Sequence, residues 1–168
     1  MTARATIAGM QLREATSDDL ELLYDMLLEA FNWDGTARLT RDEVVADVHT
    51  VRYLGGWRRA GDFGLVAVED ETPLGAIWAR ALPAGAPGYG HVADDIPEIG
   101  MGVIRGRRGQ GVGSALLAGC LEQARVLGSR ALSLSVEDGN DAARALYLRH
   151  RFSVVGRNGG SDTMLRAL

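Results

Sequence analysis

Apolar residues recur every three or four positions from Leu20 through Leu23 and Leu27 to Phe31, which predicts one buried face of a helix. Thr16 or Ser17 is placed to cap that helix, Asp18 and Asp19 fall in its first turn, and Asp34-Gly35 ends it. Ahead of it, Met1 to Met10 reads as a loose leader and Gln11 to Ala15 as a short strand. A second helix is expected from Arg41 to about Leu54, capped by Thr40 and striped by Val44, Val45, Val48 and Val51, with Gly55-Gly56 as its stop. The period then shortens. Phe63 to Glu69 and Leu74 to Arg80 read as the two arms of a hairpin around an acidic turn closed by Pro73. The Pro- and Gly-rich stretch Leu82 to Gly90 reads as a loop, a natural place for substrate recognition.

The second half alternates elements. Ile96 to Ile104 is a strand, Arg105 to Gly109 a basic turn, and a helix runs to about Leu127 before Gly128. Strand Ala131 to Val136, helix Asp141 to Arg149 with Asn140 near its cap, and strands Phe152 to Gly156 and Thr163 to Leu168 complete the order. Strands joined by crossover helices imply one α/β sheet covered by helices. In the strand at Ile96 to Ile104, Gly100 and Gly102 share a face with Glu98 and Ile104. Two glycines there predict a bulge or a close backbone approach to a ligand.

The 168 residues suit one domain. With 22 acidic against 18 basic residues the net charge is −4, which gives no attraction to a nucleic-acid backbone and tolerates cationic substrates. All the basic residues are arginines, so a P-loop lysine and Schiff-base chemistry are excluded. One cysteine, Cys120, excludes an internal disulfide and a cysteine metal cluster, and it falls on the apolar face of the long helix. Three histidines lack metal-site spacing. No signal peptide or membrane-length apolar run is present, so the default expectation is a cytoplasmic protein with no metal, nucleic-acid or membrane partner.

Chemistry concentrates in one stretch. The strand Glu98-Ile99-Gly100-Met101-Gly102-Val103-Ile104 runs into Arg105-Gly106-Arg107-Arg108-Gly109-Gln110-Gly111-Val112-Gly113-Ser114. Strand, glycine turn and helix N-terminus together present free amides and a favourable dipole to a pyrophosphate. Arg107 and Arg108 add charge-assisted donors. The glycine spacing is not the dinucleotide fingerprint.

With Arg108, Gly111 and Gly113 in the Gln/Arg-x-x-Gly-x-Gly/Ala pattern, the chain resembles the GCN5-related N-acetyltransferases. The resemblance follows element order from Gln11 onward and is specific from Glu98 to Phe152. It implies the acyl-CoA N-acyltransferase fold: a mixed, mostly antiparallel sheet of about six or seven strands with a splayed pair, flanked by about four helices. It implies acetyl-CoA as acetyl donor. The backbone of Met101, Gly102, Val103 and Ile104 would pair with the pantetheine arm, and Arg107, Arg108, Gly109, Gln110, Gly111, Val112, Gly113 and Ser114 would hold the diphosphate. Asn140 would bond the pantetheine or cap its helix, and Tyr147 would be general acid toward the coenzyme sulfur. Glu98 would accept the amine's proton, with Asp94, Asp95, Glu137 and Asp138 as unassigned sources of negative charge and His91 as a second candidate base. Phe31 and Trp33, with Tyr53, would wall the acceptor side. The acceptor would be a small-molecule or peptide amine attacking the thioester directly, and a homodimer is common in the family. An O-acetyl or other acyl transferase, and a non-catalytic coenzyme sensor, remain alternative readings. One departure stands out: Arg151 occupies the place of a family glycine before Phe152.

Overall fold

The computed structural model describes residues 8–168; part of the expected leader lies outside the described residues. Met10 does not belong to a leader. It opens strand β1 (Met10–Glu14) and is buried in the core. After a 3-10 turn at Ser17–Asp19 comes α1 (Leu20–Phe31). Thr16 and Asp19 form a capping box there, and Asp19 also holds the Arg13 guanidinium through two 2.8 Å bonds.

The expected helix over Arg41 to Leu54 is two pieces, α2 (Arg41–Ala46) and α3 (Val48–Val51). Asp47 breaks it. Its backbone turns extended and its carboxylate accepts the amides of His49 at 2.7 Å and Thr50 at 3.2 Å, capping a new helix in place of continuing the old one. The valine stripe fails with it: Val44 is buried, but Val45 and Val48 face outward.

The hairpin forms as β2 (Phe63–Glu69) and β3 (Thr72–Arg80). Asp70 and Glu71 both take positive φ, the twist that a two-residue hairpin loop requires. Pro73 sits inside β3 opposite Val68, where the register shifts, so its missing amide does not interrupt a regular ladder. β4 (Glu98–Val103), α4 (Val112–Val126), β5 (Ala131–Glu137), α5 (Asp141–Arg149), β6 (Ser153–Asn158) and β7 (Ser161–Ala167) follow.

Among the described residues the strands form a seven-stranded sheet in the order β1-β2-β3-β4-β5-β7-β6. All neighbours are antiparallel except β4 and β5. The sheet packs on both faces, while β6 at its edge is exposed along its length. One face packs Ile77, Ile99, Leu132 and Leu134 against Leu116, Leu117, Cys120 and Ala124 of α4 and Tyr147 of α5. The other packs Val66, Ala76 and Trp78 against Leu23, Met26 and Leu27 of α1 and Val44 of α2. Cys120 is wholly buried and its thiol is pushed up to about 12, so it is packing and not a nucleophile.

The two glycines of β4 answer to α1 and β3, and not to a bulge or a ligand. A Cβ on Gly102 would lie 2.1 Å from the Met26 carbonyl oxygen, and one on Gly100 would lie 2.5 Å from the Trp78 ring. Helix α1 therefore crosses β4 at backbone contact, and the Trp78 ring fills the space beside Gly100.

Candidate active site

β4 and β5 run parallel but pair at a single position, Glu98 opposite Ser133, where the Ser133 amide donates to the Pro97 carbonyl at 3.0 Å. Beyond that point the strands part. The wedge between them is a cavity of about 930 Å³, lined by β4 from Glu98 to Val103, by Ser135, Val136 and Glu137 of β5, by the first turn of α4, and by α5. The expected splayed pair is present.

The open edge of β4 is half spent. The Ile104 amide donates to the Leu74 carbonyl at 2.9 Å, so by strand alternation Gly102 also faces β3. Met101 and Val103 turn their peptide groups into the wedge. Of the four residues Met101, Gly102, Val103 and Ile104, only these two can pair with an extended ligand, and the Val103 carbonyl already accepts Arg108 Nε at 3.2 Å.

At the wedge's mouth α4 begins with Gly111, left-handed at φ 87°, and no side chain caps it. The amides of Val112, Gly113 and Ser114 therefore open the helix without an intrahelical acceptor. Gly109 is also left-handed, at φ 72°, and a side chain there would meet open space. The amides of Arg107 and Arg108 are taken by the Ile104 and Arg105 carbonyls, so the free run starts after Arg108.

The two arginines expected to add charge are otherwise engaged. Arg107 pairs with both carboxylate oxygens of Glu69, at 2.6 and 3.0 Å, and with Gln110 at 3.0 Å. Arg108 bonds the Val103, Trp33 and Glu29 carbonyls and the Glu29 carboxylate, tying the turn to the end of α1. Gln110 is held inside the turn by the Gly106 carbonyl. A sequence cannot show that Glu69 and Glu29 stand where they neutralise these cations. Arg149 also lines the wedge, and no motif in the sequence marks it. Among the described residues its side chain makes no ion pair or hydrogen bond, and it follows the Leu146 turn of α5 that packs on Gly113. Next to it, His150 meets the Ser114 hydroxyl at 2.9 Å, and burial with nearby Arg149 and Arg166 holds the imidazole below its usual range, favouring the neutral ring.

Glu98 stands at the apex of the wedge, 3% exposed. Tyr53 donates its hydroxyl proton to Oε1 at 2.8 Å and the Gly90 amide donates to the same oxygen at 2.9 Å. Oε2 has no partner among the described residues. Burial raises the carboxyl to about 7, against the lowering pull of those two donors and of His91. Tyr147 is buried at the wall of the wedge, edge-on to Phe152 at 5.9 Å, and burial pushes its phenol up to about 12. It stays protonated at neutral pH and its hydroxyl has no protein partner among the described residues. Asn140 caps α5 by accepting the Ala143 amide at 3.3 Å and also lines the wedge, so both expected roles are open to it.

Phe31, Trp33 and Tyr53 line the wedge. Trp33 reaches across to β5, where its indole N–H donates to Glu137 at 3.0 Å. The acidic residues left unassigned do not form a free negative patch. Arg38 holds Glu137, Arg157 holds Asp138 and Arg130 holds Asp95. Asp94 accepts the Ala84 amide and pairs with His91 at 3.1 Å, which engages the second candidate base. Arg151 takes the left-handed conformation itself, at φ 64°, and the Phe152 amide returns to the Tyr147 carbonyl at 3.0 Å. The turn thus takes a left-handed residue at Arg151 without a glycine there.

A strand pair opening onto an uncapped helix N-terminus, with a buried carboxyl at the apex, is an acyl-transfer architecture. Residues 20–152 match the acetyltransferase (GNAT) family model, and the chain belongs to that family. Solved structures share the fold. An N-acetyltransferase from Staphylococcus aureus Mu50 is 19% identical with TM-score 0.70, covering 95% of this chain and 99% of that one. A putative acetyltransferase from Salmonella typhimurium, solved with its cofactor acetyl-CoA, is 22% identical with TM-score 0.68, covering 96% and 95%. A ribosomal-protein-alanine N-acetyltransferase from Brucella melitensis is 24% identical with TM-score 0.66, covering 94% and 99%. No curated protein matches the sequence. Among the described residues no helix is long and apolar enough to cross a membrane, and no three His, Cys, Asp or Glu side chains gather as metal ligands.

Proposed function

We propose that this chain transfers the acetyl group of acetyl-CoA to a primary amine, with Glu98 as the base and Tyr147 as the acid. The residues present fit the donor. The free amides from Gly109 to Ser114 suit a diphosphate, and Arg149 supplies the unpaired charge beside them. The open edge at Met101 and Val103 suits the amide-bearing pantetheine arm. When bound, acetyl-CoA supplies the activated thioester.

The chain's own groups do the rest. A protonated amine is not a nucleophile, so a site for amines must remove a proton near neutral pH. The Glu98 carboxyl suits this step, because at about 7 it is ionised for much of the time at neutrality, yet basic enough to take the proton. The Tyr147 hydroxyl, protonated and free, donates to the departing sulfur. The wedge's walls hold the two reactants together and limit water.

The observation that carries this reading is the half-satisfied buried Glu98 carboxylate at the point where β4 and β5 part. A panel of small amines and peptide N-termini, with thiol release as the readout, tests it. Release that needs both acetyl-CoA and an amine, with an acetylated amine in the product, is expected. Tight acetyl-CoA binding with no amine acetylated across the panel would contradict it.

A further inference from the structure

The base does not stand alone. The segment from Pro87 to Gly90 is caught at successive peptide groups by side chains from three different parts of the chain. Arg52, just after α3, donates to the Pro87 carbonyl at 2.5 Å. The Tyr89 amide donates to the Tyr53 hydroxyl at 2.7 Å, and Asn158 of β6 donates to the Tyr89 carbonyl at 3.2 Å. The Gly90 amide donates to Glu98 Oε1 at 2.9 Å. Two glycines let this strap lie so close. A Cβ on Gly88 would fall 1.9 Å from Glu98 Oε2, and one on Gly90 would fall 2.4 Å from the Leu134 backbone.

Tyr53 is the joint between strap and carboxylate. Its hydroxyl has one proton, and because the Tyr89 amide donates to its oxygen, that proton is directed at Glu98 Oε1. With Tyr53 and Gly90 both spent on Oε1, the unshared oxygen is Oε2. The Tyr53 and Tyr89 rings stack at 6.3 Å and both line the wedge's acceptor end. We propose that Tyr53 is the positioning residue of this site: it orients Glu98 and locks the base to the strap that walls the acceptor. This rests on Glu98 being the base.

The other charges around the carboxyl do not replace that role. His91 lies close enough to favour the carboxylate but is paired with Asp94. Arg80, opposite Glu98 on β3, is consumed by Asp62 at 2.7 Å and by the Arg52 and Gly55 carbonyls. Tyr89 presents to this cluster its backbone amide and the face of its ring.

The deciding measurement is the pH profile of kcat/KM for the amine in wild type, Tyr53→Phe, Glu98→Gln and the double variant. The Tyr53 hydrogen bond stabilises the carboxylate, so losing it raises the carboxyl's pKa and moves the acidic limb up by about one pH unit. The amine's KM rises, while acetyl-CoA affinity measured by calorimetry stays within about twofold. In the Glu98→Gln background the same change costs nothing further in kcat. Replacing Tyr53 with difluorotyrosine, a stronger donor of the same shape, moves the limb down, and this arm keeps the inference falsifiable if the Phe variant folds poorly. An unmoved limb in both variants, with Glu98→Gln inactive, overturns this inference alone. A fully active Glu98→Gln overturns the base assignment beneath it.

Discussion

The two ends of the wedge are built from different material. The donor end is backbone: an uncapped helix, left-handed glycines at 109 and 111, and a strand edge that Met101 and Val103 turn into the wedge. The acceptor end is mostly side chains drawn from separate segments: Tyr53 after α3, the Tyr89 ring in the strap, Glu98 on β4, and Trp33 after α1, with the Gly90 amide alone coming from the backbone. A backbone site follows from a contiguous run of residues, so it can be read in one dimension and tolerates much sequence change around it. A side-chain site depends on which segments the fold brings together, and it is where specificity can vary while the fold stays.

That contrast sets the order of expected effects. The largest belongs to the acceptor end. Glu98→Gln removes the proton acceptor, and kcat falls by about a hundredfold or more. In wild type, activity climbs as pH rises through about 7, because the carboxyl must lose its proton to act. The same change sharpens the comparison through stability. The folded carboxyl lies above the unfolded value, so the fold carries no penalty below about pH 4.5 and acquires it as pH rises through about 7. The Gln variant should therefore melt higher than wild type at pH 8, by an amount that corresponds to about 3 kcal/mol at most, and about level with it at pH 4.5. A gain of equal size at both pH values breaks this account.

Tyr147→Phe comes next. It should lower kcat about tenfold to a hundredfold with little change in acetyl-CoA affinity, because the hydroxyl acts only on the leaving group. Arg149→Ala should raise the KM for acetyl-CoA about fivefold, and by less for a truncated acetyl-pantetheine lacking phosphates. Arg107→Ala should leave that KM nearly unchanged, since its charge is already met by Glu69. Equal KM effects at the two arginines would erase the distinction between free and committed charge. The smallest effect is Arg151→Gly, which relieves a left-handed non-glycine residue and should stabilise the fold by about 0.5–1 kcal/mol without altering kcat, as a thermal melt beside an activity assay would show.

The sequence reveals the donor end nearly whole. The glycine run, the helix start and the strand before it are contiguous, and the left-handed glycines have a local backbone reason. It misplaces the charges, because the partners of Arg107 and Arg108 stand 38 and 79 residues away in the chain. Gly100 and Gly102 look like ligand contacts in one dimension, yet α1 and Trp78 occupy the space they leave. The second helix breaks at Asp47 because a short acidic side chain can cap the next turn as readily as sit in the present one. At the acceptor end Glu98 is legible by type and position, but its burial is not, and its carboxyl near 7 is a product of burial. Tyr53 reads as an aromatic wall; its hydroxyl's partner lies 45 residues on.

On the proposed reading, the uncapped turn at the head of α4 holds the diphosphate of acetyl-CoA. Calorimetric titration of acetyl-CoA into wild type and into Gly111→Val tests it most directly, because φ 87° at that position admits a β-branched residue only with a rearranged turn. Wild type should bind, and a variant that still folds should lose at least about tenfold in affinity. Unchanged affinity in a folded Gly111→Val protein would contradict it.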